Sequence, residues 1–401
     1  MLAVTGICLA TASPAFADSD PENPEFTLNS SSECEFGGKN IKSTPWSLQR
    51  ILMDQLREKA TGKGVTVAVI DTGVDDSNDQ LTGQMASGGK DFVGKAKDGT
   101  QDVEGHGTRV AGIIAAKPMA GTGFRGIARD AKILPIRYTG AEVGGKPKQG
   151  NSNTMAAAID YAVQQDVDII NISSDTTKRQ NPPPLAAAVK KAVDAGILVV
   201  AASGNDGADG KSRDTYPAAY DGVLAVAASD RNDERAFFSQ AGDFVDIAAP
   251  GVGMVSTVPV GGQCSDDGTS FAAPYVAGVA ALMMEKYPEW KTPQIVARMQ
   301  ETAQRPTTDP DRYLGWGVVD PIAALSDDTE PGMTPKPEAP KQAGSGQVTP
   351  MKVTMGESEA EREQRVSIYV VGAGLLLVLV TGGSGIAIRD WRRKHSARTG
   401  S

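Results

Sequence analysis

Apolar runs of strand length alternate with stretches of helical spacing through most of this chain. Thr66-Val67-Ala68-Val69-Ile70 is a continuous apolar run that ends at Asp71-Thr72-Gly73. Such a run predicts a strand buried on both faces, as in a parallel sheet. Further strands are predicted over 131–137, 168–172, 197–201, 222–227 and 245–248. Helical spacing falls between them, over 110–116, 153–165 and 184–194, and after them, over 270–282 and 292–303. The alternation predicts an α/β fold: a doubly wound, mostly parallel sheet with helices on both faces and right-handed crossovers.

The ends of the chain depart from this pattern. Residues 2–13 are small and apolar, and Ala15-Phe16-Ala17 offers a cleavage site, so residues 1–17 read as a signal peptide without the usual basic start. Residues 18–44 are polar and predict an extension with little helix. Pro45-Trp46 opens a compact domain expected to run over 45–325. From 326 to 365 Pro mixes with Gly, Lys and Glu, the composition of a flexible linker. Residues 366–388 carry no charge over 23 positions. At 1.5 Å per residue they span roughly 34 Å, enough for one C-terminal transmembrane helix. Arg389, Arg392, Arg393 and Lys394 begin a basic tail over 389–401, which predicts a cytoplasmic C-terminus and a compact domain outside the cell membrane.

Charge and composition narrow the chemistry. A formal charge of -9 argues against a nucleic-acid partner. There are two histidines, His106 and His395, so a histidine base outside the tail can only be His106. Of the three cysteines, Cys8 lies in the leader, which leaves Cys34 and Cys264. In an exported domain these predict a disulfide tying the extension to the loop before Ser270; two free thiols are the alternative. No metal-ligand cluster stands out, and no cofactor is called for.

Three short motifs carry candidate chemistry. Asp71 ends a predicted parallel strand, where open α/β sheets place their sites. His106 lies between Gly105 and Gly107, ahead of an apolar helix. Ser270 follows Gly268-Thr269 and opens another, among unpaired backbone N–H groups. Taken singly these read as a turn aspartate, a capping histidine and an N-cap serine.

Together, Val69-Ile70-Asp71-Thr72-Gly73, Gly105-His106-Gly107-Thr108 and Gly268-Thr269-Ser270-Phe271-Ala272-Ala273-Pro274 resemble the subtilisin-like serine proteases, in that family's chain order. Ala201-Ala202-Ser203-Gly204-Asn205 resembles the family's oxyanion segment. The resemblance covers about residues 45–325. It implies a subtilisin-like fold, Ser270 as nucleophile, His106 as base, Asp71 as its partner and Asn205 as an oxyanion donor. It also implies that Ser173, Ser174, Asp175, Ser203 and Gly204 bind substrate. The arrangement of leader, short extension, domain, linker and span resembles the mycosins, membrane-anchored proteases of type VII secretion. That implies a protein or peptide substrate and membership of a secretion complex, in which a mainly structural role is the alternative. Two features depart from the pattern. Residues 18–44 are too short for a folding propeptide, which predicts a permanent belt. Asp175 stands where the family's substrate strand has glycine, which predicts narrow specificity.

Overall fold

The computed structural model describes residues 26–27, 34–143, 146–176, 181–305, 309–336 and 359–396. The expected signal peptide lies outside them, as do most of the linker and the end of the tail. The chain divides into two units, Met1–Pro340 and Lys341–Ser401.

The strands of the first unit are β1 (Phe26–Thr27), β2 (Thr66–Asp71), β3 (Lys90–Asp91), β4 (Lys132–Arg137), β5 (Ala141–Val143), β6 (Lys146–Lys148), β7 (Ile169–Ile172), β8 (Asp175–Thr176), β9 (Leu198–Ala202), β10 (Val223–Ser229), β11 (Ile247–Pro250), β12 (Met254–Thr257) and β13 (Gln263–Asp266). Its helices are α1 (Trp46–Gln49), α2 (Met53–Lys59), α3 (His106–Ala115), α4 (Ser152–Gln164), α5 (Pro183–Asp194), α6 (Thr269–Lys286), α7 (Thr292–Glu301) and α8 (Pro321–Ala324). Seven strands form one sheet in the order β11-β10-β9-β7-β2-β4-β3, and every pairing in it is parallel. The predicted strands and helices are present with most ends shifted by a residue or two; α3 starts four residues before the predicted 110 and α6 ends four past the predicted 282.

The continuous apolar run in β2 now has its reason. Val67 and Val69 face one core with Val110 and Ile114 of α3 and Val276 of α6. Ala68 and Ile70 face the other with Met155 and Ile159 of α4 and Leu185 and Val189 of α5. A strand covered on both faces needs apolar residues at every position. Helix α6 is buried from Thr269 through Met283. It is apolar all round, as a helix inside the core must be.

The extension is tied to this domain. Cys34 and Cys264 form the expected disulfide, with a Cα–Cα distance of 5.7 Å. Gly37 N–H donates to the Pro259 carbonyl at 3.2 Å, Ile41 N–H donates to Gln263 Oε1 at 2.8 Å, and β1 pairs antiparallel with β8. At the other end the chain stays anchored past residue 325. Arg298 Nη1 donates to Asp327 Oδ2 at 2.7 Å, Lys286 Nζ to Asp328 Oδ1 at 2.6 Å and Gln294 Nε2 to Glu330 Oε1 at 2.7 Å. Linker-like composition there hides polar anchors that bind α6 and α7. The described part of the second unit is one helix, α9 (Glu359–Ser396), whose stretch Arg362–Asp390 is long and apolar enough to cross a membrane.

Candidate active site

Asp71 is the last residue of β2 and fully buried. From β2 the chain builds β4 and β3 on one side, then β7 and the remaining strands on the other. The carboxyl end of β2 is therefore the point where the winding reverses, and crevices for ligands open at such points.

His106 is the first residue of α3, with Gly105 at the N-cap. Its Nδ1 lies 2.8 Å from Asp71 Oδ1, and both side chains are buried. The glycine after it is a steric requirement. A Cβ on Gly107 would sit 2.0 Å from the Gly73 carbonyl oxygen and 3.0 Å from Asp71 Cβ. Asp71 Oδ1 also accepts the Thr72 N–H at 2.7 Å.

A second carboxylate braces this pair. Asp102 Oδ1 accepts Thr72 Oγ1–H at 2.8 Å and Gly105 N–H at 2.7 Å. Its Oδ2 accepts Thr108 N–H at 2.8 Å and Thr108 Oγ1–H at 2.6 Å. Burial pushes the Asp102 carboxyl upward; the hydrogen bonds from Thr108 and Thr72 oppose that, and the Asp71 charge adds to it. Asp102 thus joins the residue after Asp71 to both flanks of His106. Sequence reading missed it, because an acid in a polar loop looks like a solvated one. Its position four residues before His106, at the mouth of a buried helix, was the available signal.

Ser270 is the second residue of α6, and Gly268 holds the N-cap. The reading of Ser270 as an N-cap is thereby excluded. A Cβ on Gly268 would lie 2.8 Å from Ser270 Oγ, so a larger residue there would crowd the hydroxyl. The ring of Phe271 lies 5.5 Å from that of His106, which brings the α6 start against the α3 start. Asn205 stands three residues past the end of β9. Its Oδ1 accepts both Thr269 N–H and Thr269 Oγ1–H at 2.9 Å, while Thr269 Oγ1 accepts Gly204 N–H at 3.2 Å. With its oxygen engaged beside Ser270, the Asn205 amide keeps its Nδ2 hydrogens as donors.

Three buried polar atoms at this junction lack a hydrogen-bond partner among the described residues: Asp71 Oδ2, His106 Nε2 and Ser270 Oγ. Native interiors rarely leave such groups unpaired, and a functional site is one reason they do. An imidazole engaged through Nδ1 by a carboxylate presents Nε2 as its basic nitrogen. An alcohol, a base, an acid and an amide donor are the parts of acyl transfer.

Comparison with known proteins agrees. The profile of the Subtilase family matches residues 62–317. Mycosin-1 of Mycobacterium tuberculosis is 32% identical, over 95% of this chain and 97% of its own length. The crystal structure of MycP1 from the ESX-1 type VII secretion system superposes with a TM-score of 0.66 at 30% identity, covering 79% of this chain and 93% of that one. A chain in the structure of an intact ESX-5 inner membrane complex gives a TM-score of 0.65 at 29% identity, covering 96% of this chain and 100% of that one.

The chain belongs to the subtilase family, in its mycosin branch. It is a subtilisin-like serine endopeptidase, and its substrate is a peptide chain.

The residues expected to bind substrate fall on two neighbouring segments of this subtilase. Ser173 Oγ accepts from Asn171 Nδ2 at 2.9 Å, and Ser174 Oγ lies 2.6 Å from the hydroxyl of Tyr138. Asp175 Oδ2 is 2.6 Å from where a Cβ on Gly204 would stand, so the 173–175 and 203–204 segments meet. Ser203 is buried, and its Oγ has no partner among the described residues. Burial also pushes Glu104 upward, with the charges of Asp102 and Asp71 adding to it. Among the described residues, no group of three or more His, Cys, Asp or Glu could hold a metal ion.

Proposed function

We propose that this mycosin-type subtilase cuts peptide bonds through an acyl-enzyme formed on Ser270. His106 Nε2 takes the Ser270 proton as Oγ attacks the carbonyl, then gives it to the leaving amine. Asp71 fixes the imidazole through Nδ1 and stabilises its protonated form. Asn205 Nδ2 and the Ser270 N–H hold the oxyanion. The observation that carries this reading is the 2.8 Å Asp71–His106 contact, with Phe271 next to Ser270 against the His106 ring and Asn205 braced on Thr269 on the other side of that serine in sequence. Segments 173–175 and 203–204 hold the acyl side of the substrate, and Asp175 narrows what fits there. Digestion of generic casein should accordingly be slow; rapid digestion contradicts the narrowing.

For the rest of the chain we propose domains as its composition divides them. Residues 1–17 direct export, and α9 anchors the enzyme as a single span, with its basic end in the cytoplasm. The extension is a permanent belt held by Cys34–Cys264, so the mature N-terminus precedes Cys34; a start near Trp46 contradicts this. The natural substrates are secreted proteins or components of a secretion complex. Similarity to a chain of an ESX-5 inner membrane complex over 96% of the sequence favours a structural role there as well. Terminal peptide mapping of secreted proteins from wild type and Ser270→Ala tests both. Processed termini lost in the variant support the protease; identical maps with secretion intact contradict it. Secretion that survives Ser270→Ala and fails on deletion supports the second role.

A further inference from the structure

One exposed apolar side chain borders the loop that carries His106, and a second packs on the residue that follows the first. The ring of Phe36 presses on Gly105: a Cβ there would lie 2.7 Å from its Cε1 and Cζ, and 3.0 Å from Cδ of Pro259. Val260 follows Pro259 at the tip of the β12–β13 hairpin, with its Cγ1 3.6 Å from the Cβ position of Gly37. Phe36 is 40% exposed and Val260 68%. Val260 also has φ +69, in the left-handed region that a β-branched residue rarely adopts. Its N–H donates to Asp75 Oδ2 at 2.9 Å, which holds it there. A strained, exposed valine beside a catalytic loop is the kind of outlier that points toward function.

The surroundings fix this pair to the reacting groups. Cys34, two residues before Phe36, is bonded to Cys264 of β13. Arg109 Nη1 donates to Cys34 Sγ at 3.1 Å and to Asp266 Oδ2 at 2.8 Å. Arg109 follows His106 by three residues and Asp266 precedes Ser270 by four, so the extension is tied into both catalytic segments.

We propose that Phe36 and Val260 form an apolar ledge that receives an apolar side chain from the leaving segment of the substrate. This rests on the triad reading above. The carbonyl under attack is held on the Asn205 side, next to Gly204 and Asp175. His106 returns its proton to the leaving nitrogen. Phe36 abuts Gly105 on the His106 loop, whereas Asn205 is bonded to Thr269 of α6, so the ledge is assigned to the chain after the cut. The extension then builds part of the cleft as well as bracing the fold.

Amine capture of the acyl-enzyme reads this ledge without knowledge of the natural substrate. The full chain in detergent is acylated at Ser270 by a p-nitrophenyl ester, releasing nitrophenol. Leucinamide or glycinamide then competes with water. The amine nitrogen attacks the ester carbonyl, Ser270 Oγ leaves with a proton passed through His106, and an amide forms. We expect leucinamide to capture the acyl group about tenfold better than glycinamide, the scale of burying one aliphatic side chain. Phe36→Ala should reduce that preference to about twofold. Val260→Gly, which suits a positive φ and removes the side chain without threatening the fold, should reduce it in part. Equal capture of the two amides by the wild type overturns the ledge, as does a leucinamide preference intact in both variants. Ester turnover that survives Ser270→Ala overturns the triad reading itself, and the ledge with it.

Discussion

Aspartates stand at both ends of the sheet, and they do different work: Asp71 and Asp102 are buried at the carboxyl end, while Asp168 is exposed and Asp246 partly buried at the amino end. At the amino end, Asp168 Oδ2 accepts Thr66 N–H at 2.8 Å and Asp246 Oδ2 accepts Ala225 N–H at 2.9 Å. Each carboxyl stitches the start of a neighbouring strand. At the carboxyl end, Asp71 and Asp102 gather donors from Thr72 just past β2, from the loop before α3 and from α3 itself. Burial pushes Asp102 and Asp246 upward alike, yet Asp102 has four donors around it. Asp246 has one strong donor and a distant one, Gln300 Nε2 at 3.5 Å, and is pushed up to about 6. Burial alone does not make a reactive acid; its neighbours decide whether the charge is held for structure or for chemistry.

Breaking the carboxyl-end constellation should have the largest effect. Asn205→Ala should cut turnover by about 10²–10³-fold, the scale of an oxyanion donor in subtilisin, with little change in KM. A drop in binding with turnover unchanged would place Asn205 outside the reaction. Asp102→Ala leaves buried donors at Gly105, Thr72 and Thr108 without an acceptor. It should lower unfolding stability by roughly 3 kcal/mol, read as a lower denaturant midpoint with the slope unchanged. A midpoint equal to wild type would show that Asp102 does not brace the two segments.

The smallest effect sharpens the other side. Asp246 has its folded pKa raised from 3.8 to about 6. Between these values the folded state binds more protons than the unfolded one, so stability falls as pH rises through the window. The full penalty applies above about pH 6. Asp246→Asn cannot ionise and still accepts from Ala225 N–H. It should therefore gain roughly 2 kcal/mol over wild type at pH 8 and almost nothing at pH 4. Equal stabilities at both pH values would contradict the assignment.

How much was legible in the sequence follows from what each part needs. A strand buried on both faces must be apolar throughout, so β2 and the acid at its end stood out. Two histidines left one base to consider. The Gly-Thr-Ser run before an apolar segment marked the start of α6. The bracing was not legible. Asp102 sits among Gln101, Val103 and Glu104, a composition like that of a surface loop, and only its spacing of four from His106 sets it apart. The β12–β13 hairpin pairs Met-Val-Ser-Thr with Gln-Cys-Ser-Asp, and neither strand alternates apolar with polar, so no alternation announced it. Phe36 lies in a polar stretch with no periodicity. Its place beside Gly105 depends on a disulfide to a residue 230 positions away. The anchors at Asp327, Asp328 and Glu330 hid in linker-like composition because they work through one or two long-range bonds each.

The most direct test of the account is covalent labelling of the full chain with a fluorophosphonate, followed by mapping of the modified peptide. The account predicts a single label on Ser270, lost in Ser270→Ala and strongly slowed in His106→Ala. A label on another serine, or labelling of Ser270 that proceeds at the same rate without His106, would contradict it.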